Sequence, residues 1–311
     1  MHSILLLSLL LSLVTPPATK PRREFKYGDV TAGRATFSYD GRLVLVSGKN
    51  ARVAVFHGRT AMLVREFRGH RHLIGDMASL PNQDTVVSGD ASGLLLFWKT
   101  KTARQIGQAQ VPGEVLAVRP QPGGSLVAVL TKQGIWLVDM KSGRQQSLAT
   151  ALAGRVPTIL TFNQAGTHLA IGFADGGLIV RDMKSQQQER VSLFKTPVCG
   201  LSFRSDTLLA VAGTPVLAIW CPSVPGSTQL QPVSGAVRAV TQPPGQGVVL
   251  GLASGKLVRY NPGTRQEEIV SLTKAPIRGL ITHPHEPLVL AMYALGIPQT
   301  WLLTTSTEPV Q

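Results

Sequence analysis

The chain has few of the residues on which several classes of protein depend. Its 311 residues include 2 cysteines, too few for a disulfide-stapled scaffold. Aromatic residues make up 5% of the sequence and do not interleave with its basic residues, which argues against a nucleic-acid surface built on stacking. The 17 carboxylates are scattered without an obvious acid–base pair. With no Ser/His/Asp elbow and no phosphate-cradling glycine loop, the sequence identifies no catalytic residue and no cofactor.

Near the N terminus lies an apolar run that is too short to span a bilayer. It covers Ile4 to Val14 and is followed by Thr15-Pro16-Pro17-Ala18-Thr19, which combines helix breakers with a small residue suited to cleavage. Residues 1–18 therefore resemble a secretory signal peptide, and we expect export to a periplasm or to the extracellular space. The positive charge ahead of the run is limited to the α-amino group and His2. An uncleaved membrane anchor is therefore the main alternative, followed by a frayed cytosolic N terminus.

What the chain does contain is a repeat. Seven units follow one another at intervals of 39 to 43 residues, each with a short Val- and Leu-rich run, a Gly/Pro/Asn turn and further runs. No stretch after the N-terminal run sustains a helical period, so the units are predicted to be all β. Repeats of this length are typical of four-stranded propeller blades. The residue after the first strand of each unit sets the register: Ser38, Pro81, Pro120, Asn163, Arg204, Pro243 and Pro284.

The sequence thus predicts a single all-β domain, a seven-bladed β-propeller over residues 19–311. The units are expected to start near residues 31, 74, 114, 156, 197, 237 and 277. After the last run, Ile297 to Thr304, too few residues remain for a fourth strand. The segment Arg23 to Val30, in which Phe25 and Tyr27 alternate with polar residues, fits an edge strand. We therefore expect this N-terminal strand to complete the last blade and close the ring.

Three short motifs give the repeat a family resemblance. Gly69-His70 precedes the second unit, Ser88-Gly89-Asp90 ends its second strand, and Phe97-Trp98 ends its third. This resembles the WD-repeat family, in which a Gly-His pair precedes a blade and a Trp-Asp pair closes its third strand. The fourth unit keeps Ala174-Asp175-Gly176 and Arg181-Asp182 at matching intervals. No unit carries a literal Trp-Asp pair, so the repeats are degenerate, and the resemblance covers roughly residues 24 to 304.

The resemblance implies a structural role for some polar residues. In the family, a His, a strand hydroxyl, a turn Asp and a Trp form a hydrogen-bonded chain within the blade. The second unit supplies His70, Ser88 and Trp98, with Ser92 where the turn Asp is expected. Asp175 is the corresponding turn acid of the fourth unit. The other blades are expected to depend on apolar packing, which a hydrophobic content of 43% can support.

A strong positive charge is the main indication of a partner. The 31 Lys and Arg residues exceed the acidic residues enough to give a net charge of +14, which attracts anionic surfaces. Basic residues in the third-to-fourth-strand turns, such as Lys99, Lys101 and Lys141, are interpreted as solubilising charge. The family resemblance places the second-to-third-strand turns and the blade-to-blade loops on the partner-binding face. We therefore predict a partner site there, beside the structural His70: Lys49, Arg52, Arg68, Arg71 and His72.

Together these features predict a non-catalytic binding or assembly scaffold. A protein partner with an acidic surface is expected, and an anionic polymer or a membrane surface is also compatible with the charge. Two alternatives stay open: a hydrolase or lactonase-like enzyme with its site at the central channel, and a membrane-tethered intracellular scaffold. His283, His285 and Glu286 could approach a metal, but they abut a turn beside Pro284 and are interpreted as surface. Cys199 and Cys221 are expected to be unpaired, because an intervening strand separates them.

Overall fold

The computed structural model describes residues 20–27, 33–81, 83–148, 152, 154–294 and 296–303. The expected signal segment, residues 1–18, lies outside the described residues. Within the described ranges, 28 strands form seven four-stranded antiparallel sheets, which confirms the predicted all-β propeller with seven blades. None of these residues forms a helix with the length and apolar character that crossing a bilayer requires.

The strands follow one order in blades 1 to 6, from the innermost to the outermost. The first strand, β1 (Arg23–Glu24), precedes blade 1. Blades 1 and 2 comprise β2 (Ala35–Phe37), β3 (Leu43–Ser47), β4 (Arg52–His57), β5 (Leu63–Arg68), β6 (Ile74–Ser79), β7 (Thr85–Asp90), β8 (Leu94–Lys99) and β9 (Gln105–Gln110). Blades 3 and 4 comprise β10 (Val115–Pro120), β11 (Leu126–Thr131), β12 (Gly134–Asp139), β13 (Gln145–Ser147), β14 (Pro157–Phe162), β15 (His168–Phe173), β16 (Gly177–Asp182) and β17 (Gln188–Ser192).

Blades 5 and 6 continue the pattern, and blade 7 departs from it in its outermost strand. Blade 5 comprises β18 (Gly200–Arg204), β19 (Thr207–Val211), β20 (Val216–Trp220) and β21 (Gln229–Pro232). Blade 6 comprises β22 (Val237–Thr241), β23 (Val248–Leu252), β24 (Lys256–Asn261) and β25 (Gln266–Leu272). Blade 7 comprises β26 (Ile277–Thr282), β27 (Leu288–Tyr293) and β28 (Gln299–Leu302), and β1 is its fourth strand.

The ring therefore closes through the N-terminal strand, as the sequence predicts. β1 pairs antiparallel with β28, so that Arg23 lies opposite Thr300 and Glu24 opposite Gln299. The strand has two residues and is shorter than the segment proposed from the sequence. Phe25 follows it and is fully buried, with its ring centroid 5.8 Å from that of Phe56 in blade 1. Closure thus combines a short ladder with an aromatic anchor in the neighbouring blade.

A buried histidine links the first turns of blades 7 and 1 beside this closure. His283 Nε2 donates to the carbonyl oxygen of Gly41 at 3.1 Å, and His283 Nδ1 accepts the backbone N–H of Glu286 at 2.8 Å. Gly41 has a φ of +72°, and a Cβ atom there would lie 2.1 Å from His283 Nε2. Both the backbone conformation and the close approach therefore require glycine. The Glu286 carboxylate adds ion pairs to Arg22 at 3.3 Å and to Arg59 at 3.4 Å.

The hydrophobic core lies between neighbouring blades, where the faces of successive sheets meet. Between blades 1 and 2, for example, Leu45 and Phe67 pack with Met77 and Trp98, and all four are almost fully buried. Burial of such a side chain contributes about 1.5–3 kcal/mol. Cys199 and Cys221 flank the inner strands of blade 5 as half-buried, free thiols, which confirms that they are unpaired. Apolar burial against two neighbours thus positions each blade.

The connections lie on two opposite faces of the ring. The upper face, as we call it, carries the blade-to-blade loops and the turns between second and third strands. The lower face carries the turns between first and second strands and between third and fourth strands. These assignments follow from the antiparallel order of each sheet. Innermost strands therefore start at the upper face and end at the lower face.

Candidate functional site

A buried hydrogen-bonded chain ties together the strands of blade 2. Trp98 Nε1 donates to Ser88 Oγ at 2.9 Å, and the Ser88 hydroxyl lies 2.7 Å from His70 Nε2. His70 Nδ1 lies 2.8 Å from Asp90 Oδ2. Burial lowers the pKa of His70, so the imidazole is neutral and donates from Nδ1 while Nε2 accepts from Ser88. Each polar side-chain atom in this series of hydrogen bonds has a partner within the protein. The series is therefore part of the scaffold.

The acid of this chain is Asp90, two residues before the position expected from the family pattern. Asp90 Oδ1 accepts the backbone N–H of Ser92 at 2.9 Å, the hydroxyl of Ser92 at 2.6 Å and the N–H of Leu94 at 3.2 Å. Ser92 itself is exposed and contacts the acid instead of replacing it. One carboxylate therefore both holds His70 and shapes the turn between β7 and β8.

Asp175 has different partners from those that the resemblance implied. Its carboxylate binds the Arg155 guanidinium through two hydrogen bonds of 2.8 and 2.6 Å. The Arg155 guanidinium lies 4.1 Å from the centre of the Phe173 ring. The Arg155 contact lowers the pKa of Asp175. In blade 4, an ion pair and a cation–π contact thus take the place of a His and Trp network.

Within the predicted partner site, the structure brings two of the five residues together. Arg52 and Arg68 lie opposite each other on β4 and β5, and both reach Glu66 Oε2, at 3.4 and 2.9 Å. The Tyr27 hydroxyl donates to the other Glu66 oxygen at 2.6 Å. These hydrogen bonds, that from Tyr27 foremost, lower the pKa of Glu66. Glu66 therefore holds the two arginines in place and offsets part of their charge.

The other three predicted residues lie in exposed loops of the upper face. Lys49 lies in the turn between β3 and β4, and Arg71 and His72 lie in the loop from β5 to β6. None of the three forms an ion pair with another residue that the structure describes. Leu73 follows them with 58% of its surface exposed. This loop thus offers positive charge and an apolar side chain on the upper face, just before the innermost strand of blade 2.

The central channel encloses about 720 Å³ and is lined by the innermost strands of all seven blades. Its carboxylate, Asp76, is mostly buried and contacts Arg119 Nη1 at 2.6 Å and the backbone N–H of Val118 at 3.1 Å. Both contacts come from hydrogen-bond donors, so this carboxylate is already engaged by the channel wall. The channel's imidazole, His285, lies in the first turn of blade 7, at the opposite, lower end.

Sequence reasoning missed three arginines at the upper ends of innermost strands, two of which, Arg34 and Arg278, line the channel. Arg34 immediately precedes β2, and Arg238 and Arg278 are the second residues of β22 and β26. All three are exposed, and none lies within 4 Å of a carboxylate among the residues that the structure describes. Arg34 Nε donates to the backbone oxygen of Gly75 in blade 2 at 2.8 Å. Their shared position at the start of an innermost strand was the signal that could have identified them.

These arginines belong to consecutive blades, because blades 6, 7 and 1 are neighbours in the closed ring. Together with Arg71 and His72 at the start of blade 2, they form what we call the mouth crescent: Arg34, Arg71, His72, Arg238 and Arg278. Guanidinium groups offer paired donors in a fixed geometry that matches a carboxylate. The crescent can therefore bind an anionic group placed over the channel.

The histidines of the first turn of blade 7 do not form a metal centre. Across the described ranges, no three His, Cys, Asp or Glu residues converge as metal ligands do. Both nitrogens of His283 are already occupied, by the Gly41 carbonyl and by backbone N–H groups. Its environment is that of a structural residue at the seam between blades 7 and 1.

Comparisons with known proteins identify the fold. The chain is similar to the β-propeller domain of Myceliophteria thermophila Cps50 (Swd1), with a TM-score of 0.75, 16% identity and coverage of 91% of this chain and 99% of that one. It is also similar to the WD40 repeats of RRP9, with a TM-score of 0.75, 13% identity and coverage of 93% and 99%. No family model matches the sequence, and no curated protein does. The fold is that of a WD40-like β-propeller with degenerate repeats.

Proposed function

We propose that the protein is a non-catalytic scaffold that binds an acidic segment of a protein partner at the mouth crescent. The observation that carries this proposal is the group of three exposed arginines, Arg34, Arg238 and Arg278, without carboxylate partners among the described residues. Cations at a concave opening attract anionic ligands and raise their rate of association. Arg71 extends the same charge onto blade 2, and the His72 ring lies beside it in sequence.

The scaffold favours binding because it holds the backbone at Arg34, Arg238 and Arg278 in advance. Each arginine lies at the start of an innermost strand whose backbone is paired within its sheet and packed against the next blade. A partner therefore does not have to order the backbone at these three arginines, which lowers the entropic cost of association. Arg52 and Arg68, held by Glu66, form a second and partly neutralised patch at the outer edge of blade 1.

The channel is less suited to hydrolysis than to binding. Its carboxylate, Asp76, is engaged by Arg119 and by the Val118 amide. His285 belongs to the lower end of the channel and does not contact that acid in the described structure. Binding at the upper mouth therefore agrees better with this geometry than the enzymatic alternative does.

A charged peptide tests the proposal directly. Fluorescence anisotropy with a labelled twelve-residue oligoglutamate peptide would measure affinity for the wild type and for the R34Q/R238Q/R278Q variant. We expect the variant to bind at least tenfold more weakly, and the difference to shrink as salt screens the charges. The matched control, R190Q/R204Q/R265Q, loses the same charge from exposed positions away from the mouth and should bind like the wild type. Equal weakening in both variants, or none in either, would overturn the proposed site.

Export is part of the proposal, because the N-terminal segment resembles a signal peptide. Intact-mass analysis of protein purified from its native source should then show a mature N terminus near Thr19. A chain that retains Met1 and fractionates with membranes would contradict cleavage and favour the anchored alternative.

A further inference from the structure

The lower face repeats one hairpin turn on four consecutive blades. Each turn is closed by a backbone hydrogen bond of 2.8–3.0 Å from an N–H to the carbonyl oxygen four residues earlier. The donor of that bond has a left-handed conformation, with φ between +56° and +69°: Ala61, Ala103, Gly143 and Gln186. A cationic residue lies two positions before each of these donors. In chain order these residues are Arg59, Lys101, Lys141 and Lys184. One backbone shape therefore presents a positive side chain at the same place in blades 1 to 4.

The acids of these turns point into the turns themselves. Asp139 Oδ1 accepts backbone N–H groups from Lys141 and Ser142, at 3.1 and 2.7 Å. Asp182 Oδ1 does the same for Lys184 and Ser185, at 2.9 and 2.6 Å. A hydrogen bond from the Ser125 hydroxyl, followed by those from Ser142, lowers the pKa of Asp139, and the hydrogen bonds from Ser185 lower the pKa of Asp182. In these two turns the negative charge therefore lies at the base of the turn. The cations Lys141 and Lys184 lie nearer the tip.

Five cations of blades 2 to 4 are exposed on this face. None of them forms an ion pair with a residue that the structure describes, whereas Arg59 of blade 1 binds Glu286. We call this set the lower arc: Lys101, Arg104, Lys141, Arg144 and Lys184.

Apolar side chains are exposed beside the lower arc. Met62, the last residue of the blade 1 turn, is 68% exposed, and Ile106, just after the blade 2 turn, is 47% exposed. Val224, in the corresponding loop of blade 5, is 51% exposed. Cations mixed with exposed apolar side chains are characteristic of surfaces that bind the interface of an anionic membrane.

The chain also approaches the propeller from this face. Arg22 lies next to Glu286 in the first turn of blade 7, which belongs to the lower face, and β1 runs from there towards the upper face. The apolar run in the sequence ends at Val14, six residues before Lys20. Six residues span at most about 20 Å, since an extended chain advances about 3.5 Å per residue. In the anchored alternative, in which that run stays in a membrane, the lower face would lie close to the bilayer.

We propose that the lower face docks on a bilayer containing anionic phospholipids. The lower arc binds headgroup phosphates, Met62 and Ile106 enter the interface, and the mouth crescent faces away from the membrane. We favour a membrane over a soluble polyanion because the cations are mixed with exposed apolar side chains, which holds whether or not residues 1–18 are cleaved. The proposal does not depend on the proposed function, since the two faces are opposite.

Vesicle flotation of the full chain tests this proposal. Binding would be compared on phosphatidylcholine vesicles and on vesicles with 30% phosphatidylserine, for the wild type and for K101Q/K141Q/K184Q. One cation near an anionic leaflet strengthens partitioning about fivefold, so removing three should weaken the serine-lipid-dependent part by up to about 100-fold. The R34Q/R238Q/R278Q variant loses the same charge from the upper face and should retain this binding.

Three results would overturn the docking proposal. The first is equal binding to both kinds of vesicle, and the second is equal loss in the two triple variants. The third is salt-sensitive binding to heparin without binding to anionic vesicles, which would identify a soluble polyanion as the ligand. Oligoglutamate binding by the same proteins reports separately on the mouth crescent, so failure of one proposal is distinguishable from failure of the other.

Discussion

The buried series of hydrogen bonds in blade 2 gives a specific prediction for the free energy of unfolding. Ser88 is fully buried, and its hydroxyl contacts both His70 Nε2 and Trp98 Nε1. The Ser88→Ala substitution leaves both ring nitrogens buried without a partner, and each unpaired group costs about 1–3 kcal/mol. We therefore expect a loss of about 2–6 kcal/mol from a total stability of about 5–15 kcal/mol. At about 2 °C per kcal/mol, the melting temperature should fall by roughly 4–12 °C.

A second buried serine provides a matched control for this prediction. Ser271 is also fully buried, but its hydroxyl has no hydrogen-bond partner among the described residues. Ser271→Ala removes an unsatisfied polar group and should leave the melting temperature unchanged or raise it slightly. Thermal melts and urea unfolding of both variants would give the comparison. If the two substitutions shift stability equally, the hydrogen-bonded chain contributes nothing beyond burial and the reasoning is refuted.

Two further predictions concern the seam at which the ring closes. Burial lowers the pKa of His283, and also that of His70, so below a pH of about 6.5 the unfolded chain binds protons that the native state does not. The urea midpoint of unfolding should therefore fall between pH 7.5 and pH 5.5. The fall should be smaller in H283N, because asparagine cannot gain that charge. If H283N shows the same fall as the wild type, His283 does not contribute to the pH dependence. Phe25→Ala should cost about 3–5 kcal/mol, because it empties a fully buried site against Phe56. The exposed neighbour offers the control Lys26→Ala, expected within about 0.5 kcal/mol of the wild type, and equal urea midpoints for the two would argue against the aromatic anchor.

Blade number and ring closure were predictable because both depend on regular spacing. The turn signals recur at the length of a blade, and the segment around Arg23, which precedes the first unit, pairs with β28 as the fourth strand of blade 7. The length of that strand was not predictable, since only Arg23 and Glu24 pair with β28. Phe25 stabilises the seam by packing into blade 1. The alternation of residue types within one segment does not predict such a contact with another blade.

The polar sites depended on contacts that the repeat pattern does not specify. The family pattern pointed to Ser92 for the turn acid, but the Asp90 carboxylate reaches His70 from the end of β7. Asp175 forms an ion pair with Arg155 instead of a hydrogen bond to a histidine. Arg34 and Arg278 are distant in sequence and line the same channel from adjacent blades because the ring closes. The predicted patch of Arg52 and Arg68 proved to be partly neutralised by Glu66, which lies between them in sequence.

The pairing of β1 with β28 also sets the order in which the molecule can fold during synthesis. A ribosome produces Arg23 and Glu24 before blade 1, but their partners Thr300 and Gln299 come after every other described strand except for the last residues of β28. The first six blades can pack as they emerge, whereas blade 7 exposes the unpaired edge of β28 until the early segment returns. Joining such distant parts of a chain is entropically costly and slow. The newly made protein therefore has a late window in which it is open to edge-to-edge association, and that window ends when the ring closes.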